Sequence, residues 1–184
     1  MRRFPLVLLV GVVAAFASAA AAADLDMCAL LTPAELDAVA GVKVPPAGTP
    51  SEQPLPAMAG VLKGLPRVGC SWTIGDQGDA KTMGNVYVSL VRLTAEQAGA
   101  GMAFRKAHVD YATGVGFQAT ESKVAGASCS VLKPPTNSLG LGPATGCSVE
   151  TKDRVVALDV SGQVTRTSPE AVKAALDKAV SRLP

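Results

Sequence analysis

Histidine occurs once in the chain, at position 108, tryptophan occurs once, at position 72, and aromatic residues make up only 4% of the 184 residues. A histidine acting as general base needs a nucleophile and an orienting group within reach. Around His108 stand Arg105, Lys106 and Asp110; Asp110 at i+2 projects off its helical face, and no Gly-x-Ser-x-Gly turn exists anywhere in the chain. His108 therefore reads as a solvated surface histidine. Cys-x-x-Cys is also missing, and the four cysteines are singly dispersed and far from the histidine, which argues against a zinc site. No run of lysine or arginine lies beyond the first residues, so nothing offers a phosphate-binding stripe and nucleic acid is excluded as a partner.

What is present begins with an export signal. Arg2 and Arg3 precede an apolar run from Phe4 to Phe16, and Ala17 to Ala23 is almost all alanine before the first acid, Asp24. A basic end, an apolar middle and a small-residue flank describe a secretory signal peptide cleaved after Ala23. Residues 1–23 are then the signal and 24–184 a single exported α+β domain, periplasmic or secreted, with no stable membrane insertion after cleavage. Removing Arg2 and Arg3 leaves 15 basic residues of the original 17 against 15 acidic ones, so the mature chain is formally neutral. Leu25-Asp26-Met27 before Cys28 lacks the small residues that a lipidation site wants.

Four cysteines behind an export signal imply two disulfides formed in an oxidising compartment. Three pairings are open. Cys28 with Cys70 and Cys129 with Cys147 are favoured because each pair joins elements expected to be neighbours. With every cysteine paired, no thiol is left for catalysis.

Along the chain, Thr32-Pro33-Ala34-Glu35 is a capping box with proline at the first helical position, opening a short helix that ends at Gly41. Val42 to Val68, rich in proline and glycine, reads as a long loop with a short helical turn within Met58 to Leu65. Val68 to Ile74 and Asn85 to Leu93 read as an antiparallel hairpin with one apolar face, Val86, Val88 and Leu90 alternating with Tyr87, Ser89 and Val91. Thr94 and Gln97 repeat the capping logic and predict a helix to about Thr113, with Ala98, Met102, Val109 and Ala112 as its apolar stripe. Gly99 and Gly101 each cost this helix roughly 1 kcal/mol relative to alanine.

A short strand over Phe117 to Val124 is followed by strands at Ala127 to Leu132 and Thr145 to Glu150, which flank a Pro/Gly loop from Lys133 to Pro143. Lys152-Asp153 turns the chain into a last strand, Val155 to Val160. Ser168-Pro169-Glu170 then starts a final amphipathic helix, with Lys173, Asp177, Lys178 and Arg182 facing water. The order argues an α+β fold: an antiparallel sheet of about five strands with helices packed on it and two disulfides.

Cys28-Ala29-Leu30-Leu31-Thr32-Pro33-Ala34-Glu35-Leu36, followed by Gly69-Cys70-Ser71-Trp72, resembles an uncharacterised domain family of exported bacterial proteins, many of them actinobacterial lipoproteins. The likeness is strongest over Cys28 to Leu93. It implies that Cys28 pairs with Cys70, and a fold like that of the PsbP and Mog1 proteins, small α+β domains used mostly for binding. This chain departs from the pattern in lacking a lipidated cysteine and in carrying Cys129 and Cys147. The family supplies no established activity.

Other chemistry is weakly represented. Gly140-Leu141-Gly142 and Gly146 lie between strands, where no helix N-terminus follows to hold phosphate. Asp76 and Asp79 share one turn but lack the further oxygens of a calcium loop. Trp72 beside a disulfide reads as core rather than as a stacking platform. No metal and no cofactor is implied, and no catalytic residue is assigned. The expectation is a non-enzymatic binding or interaction domain that takes a small apolar ligand or an envelope protein through its two Pro/Gly loops, on a rigid scaffold. The alternative is a hydrolytic or thiol-exchange enzyme using His108 or a reactive cysteine.

Overall fold

The computed structural model describes residues 25–76, 79, 81–136, 142–151 and 153–184. The signal sequence expected over residues 1–23, the Gly140-Leu141 pair and the centre of the Lys133 to Pro143 loop lie outside the described residues.

After a 3-10 turn at Met27–Ala29, the elements run α1 (Pro33–Ala40), β1 (Thr49–Pro54), a 3-10 segment (Ala57–Leu62), β2 (Pro66–Ile74), β3 (Gly84–Arg92), a 3-10 turn (Ala95–Gln97), α2 (Ala100–Gly114), β4 (Gln118–Val124), β5 (Ala127–Lys133), β6 (Ala144–Thr151), β7 (Arg154–Gly162) and α3 (Pro169–Ser181). Among the described residues the strands form one seven-stranded sheet in the order β1-β2-β3-β7-β6-β5-β4, and every pairing is antiparallel. The fold is α+β as expected, with seven strands instead of about five. One addition is β1, inside the stretch from Val42 to Val68 read as loop. Pro50 and Pro54 fit there because β1 is an edge strand, where a missing backbone donor can face away from the sheet. The short strand expected over Phe117 to Val124 is present as β4, the opposite edge.

One sheet face carries the core. Cys70, Trp72 and Ile74, Val86, Val88 and Leu90, and Val156, Leu158 and Val160 all turn to that side, beneath Leu36 and Val39 of α1 and Val172 and Leu176 of α3. The period-2 alternation of β2, β3 and β7 puts these residues there. Trp72 is buried beside the Cys28–Cys70 disulfide, and Cys129 is bonded to Cys147 directly opposite in the β5–β6 register. Gly48 closes over both: a Cβ there would collide with Cys70 Sγ and the Trp72 indole.

The expected caps are present. Thr32 and Glu35 form a reciprocal capping box on α1, and the Ser168 side chain accepts from Ala171 N–H on α3. Arg182 grips Glu35 through two hydrogen bonds (2.6 and 2.9 Å) and donates to the Leu30 carbonyl (2.7 Å), tying α3 to the N-terminal segment. Lys173, expected in water, is instead buried along its stem with its ammonium on Asp177, one turn on.

The Thr94 to Thr113 helix is corrected. The Thr94/Gln97 capping box closes only a single 3-10 turn, and α2 begins at Ala100 after Gly99, whose φ of +84° breaks the path. The glycines that looked costly are needed. The backbone N–H groups of Gly99 and Gly101 donate to the two oxygens of Glu150 on β6 (2.5 and 2.9 Å), which anchors a carboxylate at the positive end of the helix. A side chain at Gly101 would strike Val155 and that carboxylate. The buried stripe is Gly101, Arg105, Val109 and Ala112, and Met102 is exposed.

Candidate ligand-binding cleft

The second face of the sheet is only half covered, for a topological reason. β3 lies mid-sheet while β4 is the far edge, so α2, which connects them, lies over β4, β5 and β6. The 3-10 segment Ala57–Leu62 fills one end, where Leu55, Leu62, Val91, Leu93 and Val155 make a small second core. Between them β1, β2, β3 and β7 present their outer face to an open cleft.

Register decides what lines it. One row across the sheet reads Ser71, Tyr87, Asp159, Gly146; the next Thr73, Asn85, Ser161, Ala144; and on the other side Ser51, Gly69, Ser89, Ala157. These are small or polar where the opposite face is Val, Leu and Trp. The resulting hollow encloses about 500 Å³ and is walled by Phe104, Arg105 and His108 of α2 and by Gln53 and Arg67 at the sheet edge. A neighbouring hollow of about 580 Å³ shares Asn85, His108, Ala144 and Ser161 with it, and continues towards Met83, Ala112, Val115, Phe117 and Leu132. Together they form one groove under α2, with Arg67, Arg105 and Asp159 at one end and the larger apolar lining at the other. Each volume lies in the range typical of small-molecule sites, roughly 300–1,000 Å³.

The polar end is built around two arginines. Arg105 occupies a buried-stripe position of α2, its side chain only 4% exposed, and its Nη1 donates to Asp159 Oδ1 at 2.6 Å. Gly146 makes room for this pair, since a Cβ there would overlap Asp159 Oδ1. Arg105 Nε and Nη2 are buried without a hydrogen-bond partner among the described residues, as is Arg67 Nε. Arg67 lies over the ring of Tyr87, 5.3 Å from its centroid, and the Tyr87 hydroxyl, 3.4 Å from Ser51 Oγ, stands close over Gly69. Asn85 Nδ2 donates to Ser71 Oγ at 2.9 Å. Buried polar atoms in folded proteins nearly always have a partner, so three such guanidinium donors on the two arginines of one hollow stand out.

His108 is exposed at its rim yet belongs to this groove. Surrounding protein lowers its pKa by desolvation, Arg105 and Arg67 push the same way, and Asp159 opposes them. No hydrogen bond to His108 is formed among the described residues, and Asp110 is held instead by Lys106 at 2.8 Å. The cysteines offer no thiol: all four are in the two disulfides. Sequence reasoning placed His108 and the four cysteines but missed Arg67, Arg105, Tyr87 and Asp159. One signal was available, an arginine at the 105 position of a stripe running 101, 105, 109, 112. Comparison of the chain with protein-family models, curated proteins and solved structures returned no match.

Proposed function

We propose that the protein is an exported, non-enzymatic binding domain whose ligand is a small molecule seated in the groove between α2 and the uncovered half of the sheet. One observation carries this reading: a row-by-row lining of small polar side chains, open to solvent, beneath two arginines with unpartnered buried donors. The basic, apolar and alanine-rich start of the chain supports export, as do two disulfides, which persist in oxidising compartments. Among the described residues no helix is long and apolar enough to cross a membrane. The likeness of the Cys28 to Leu36 and Gly69 to Trp72 segments to an exported bacterial domain family points the same way.

The ligand is placed in the groove, to which the first Pro/Gly loop contributes Ser51, Gln53 and Arg67 and the second contributes Gly142. Among the described residues no cysteine is free and no hydroxyl or orienting group is hydrogen-bonded to the His108 ring.

The test is native mass spectrometry of the mature protein recovered from its exporting host, repeated after denaturation and with Ser161→Trp, which fills the wall common to both hollows. A small-molecule mass that is retained by the wild type, released on denaturation and lost in the variant is the expected result. A bare wild-type chain, or equal retention in the variant, defeats the proposal.

A further inference from the structure

Resting on that reading of the groove, we infer that the ligand is a carboxylate-bearing amphiphile, its head group between Arg67 and Arg105 and its apolar chain along Met83, Val115 and Phe117. The charge balance selects an anion. Arg67 and Arg105 face one acid, Asp159, whose Oδ1 is already taken by Arg105 Nη1; His108 has its charged form disfavoured by its surroundings. The polar hollow therefore holds one uncompensated positive charge among its described residues, which matches a monoanion better than a dianion. Geometry selects a planar one. Guanidinium donors left after one bond to Asp159 are suited to a two-oxygen acceptor, as in Arg–carboxylate pairing.

The tail follows from the second hollow. Tyr111 and Val115 are each 54% exposed at its edge, two of the three large hydrophobic side chains left in water among the described residues. Beneath them Ala112 and Leu132 are buried and Phe117 is half-buried. A chain laid there removes apolar area from water, and the shared wall at Asn85, His108, Ala144 and Ser161 joins it directly to the arginine end.

Isothermal titration of the mature protein with decanoate, decyl phosphate and decyltrimethylammonium separates head group from chain. Decanoate is expected to bind best, by about tenfold or more over the cationic amphiphile, because charge-assisted hydrogen bonds carry that much. Arg67→Gln should weaken decanoate about tenfold without weakening decyltrimethylammonium. Arg105→Lys keeps a cation for Asp159 but removes the planar Nε/Nη2 fork, and should do the same, with unchanged thermal melting showing that the variant is folded. Equal affinity for the two head charges, tighter binding of decyl phosphate than of decanoate, or unaltered decanoate binding in both arginine variants overturns the assignment. If the protein from its host retains a small molecule yet decanoate does not bind, the groove stands and the carboxylate falls; if nothing is retained and no probe binds, both fall.

Discussion

Truncating the two members of the Arg105–Asp159 pair should have unequal consequences. Arg105 is 4% exposed and Asp159 37%, so the pair is lopsided: one charge is deep and the other half in water. Asp159→Ala leaves a buried guanidinium with none of its nitrogens bonded to any of the described residues. Breaking a fully buried pair costs roughly 3–5 kcal/mol, and the partial exposure of Asp159 brings this to about 2–3 kcal/mol. Arg105→Met instead leaves a carboxylate that water can reach, and places a flexible apolar chain on a stripe with Val109 and Ala112. Its net cost should be within about 1 kcal/mol, since replacing a buried charge by packed apolar atoms is often neutral. Urea titration reads both as a change in midpoint at constant m-value. Thermal melting should show Asp159→Ala lower by about 4–12 °C and Arg105→Met within about 4 °C of the wild type. If Arg105→Met costs as much as Asp159→Ala, the pair stabilises the sheet mutually, and the view of Arg105 as a buried charge held for a ligand is refuted.

Glu150→Ala should destabilise by about 1–2 kcal/mol in urea, because it strips the carboxylate from the N-terminus of α2 at Gly99 and Gly101; an unchanged midpoint would show that packing alone holds that end. Replacing Cys129 and Cys147 together by alanine should cost about 3 kcal/mol in the chain-entropy picture of loop closure, read from denaturant midpoints with Cys28–Cys70 intact. The Glu35 carboxyl is held well below the usual carboxylate range, first by the hydrogen bonds from Arg182. Its contribution is therefore present above the ordinary glutamate pKa and lost as pH falls below it, so Glu35→Gln should lower the melting temperature at pH 7 and the gap should close progressively below about pH 4. His108 runs in the same sense with pH, because desolvation of the ring by the groove walls lowers its folded-state pKa: its contribution is complete above about pH 6.5 and declines below it. His108→Gln should flatten melting curves compared between pH 7 and pH 5, and an unaltered slope would mean that the groove does not desolvate the ring.

Local signals were legible wherever their cause is local. A capping box needs only Thr32 and Glu35 three residues apart, and Ser168-Pro169 starts α3 by the same short-range rules. Alternation in β3 announced an apolar face because period 2 is a property of one strand. Four cysteines behind a basic-apolar-alanine start implied two disulfides, and the structure contains the favoured pairing, Cys28–Cys70 and Cys129–Cys147. The proline-rich stretch before Val68 misled because proline speaks against a central strand while an edge strand tolerates it, and only the sheet shows which strand is the edge.

The sequence by itself thus determined the fold class, the cross-linked scaffold, most element types and which face of β2, β3 and β7 is core. Tertiary structure alone decided the site. Ser71, Tyr87, Asp159 and Gly146 are separated by dozens of residues for the most part, and only strand register sets them in one row. The jump from β3 to the far edge makes α2 cover half a face and leave the other half open. Arg105 could be noticed on its stripe, but the need for a partner arises only when burial removes water from its guanidinium, and burial belongs to the assembled chain.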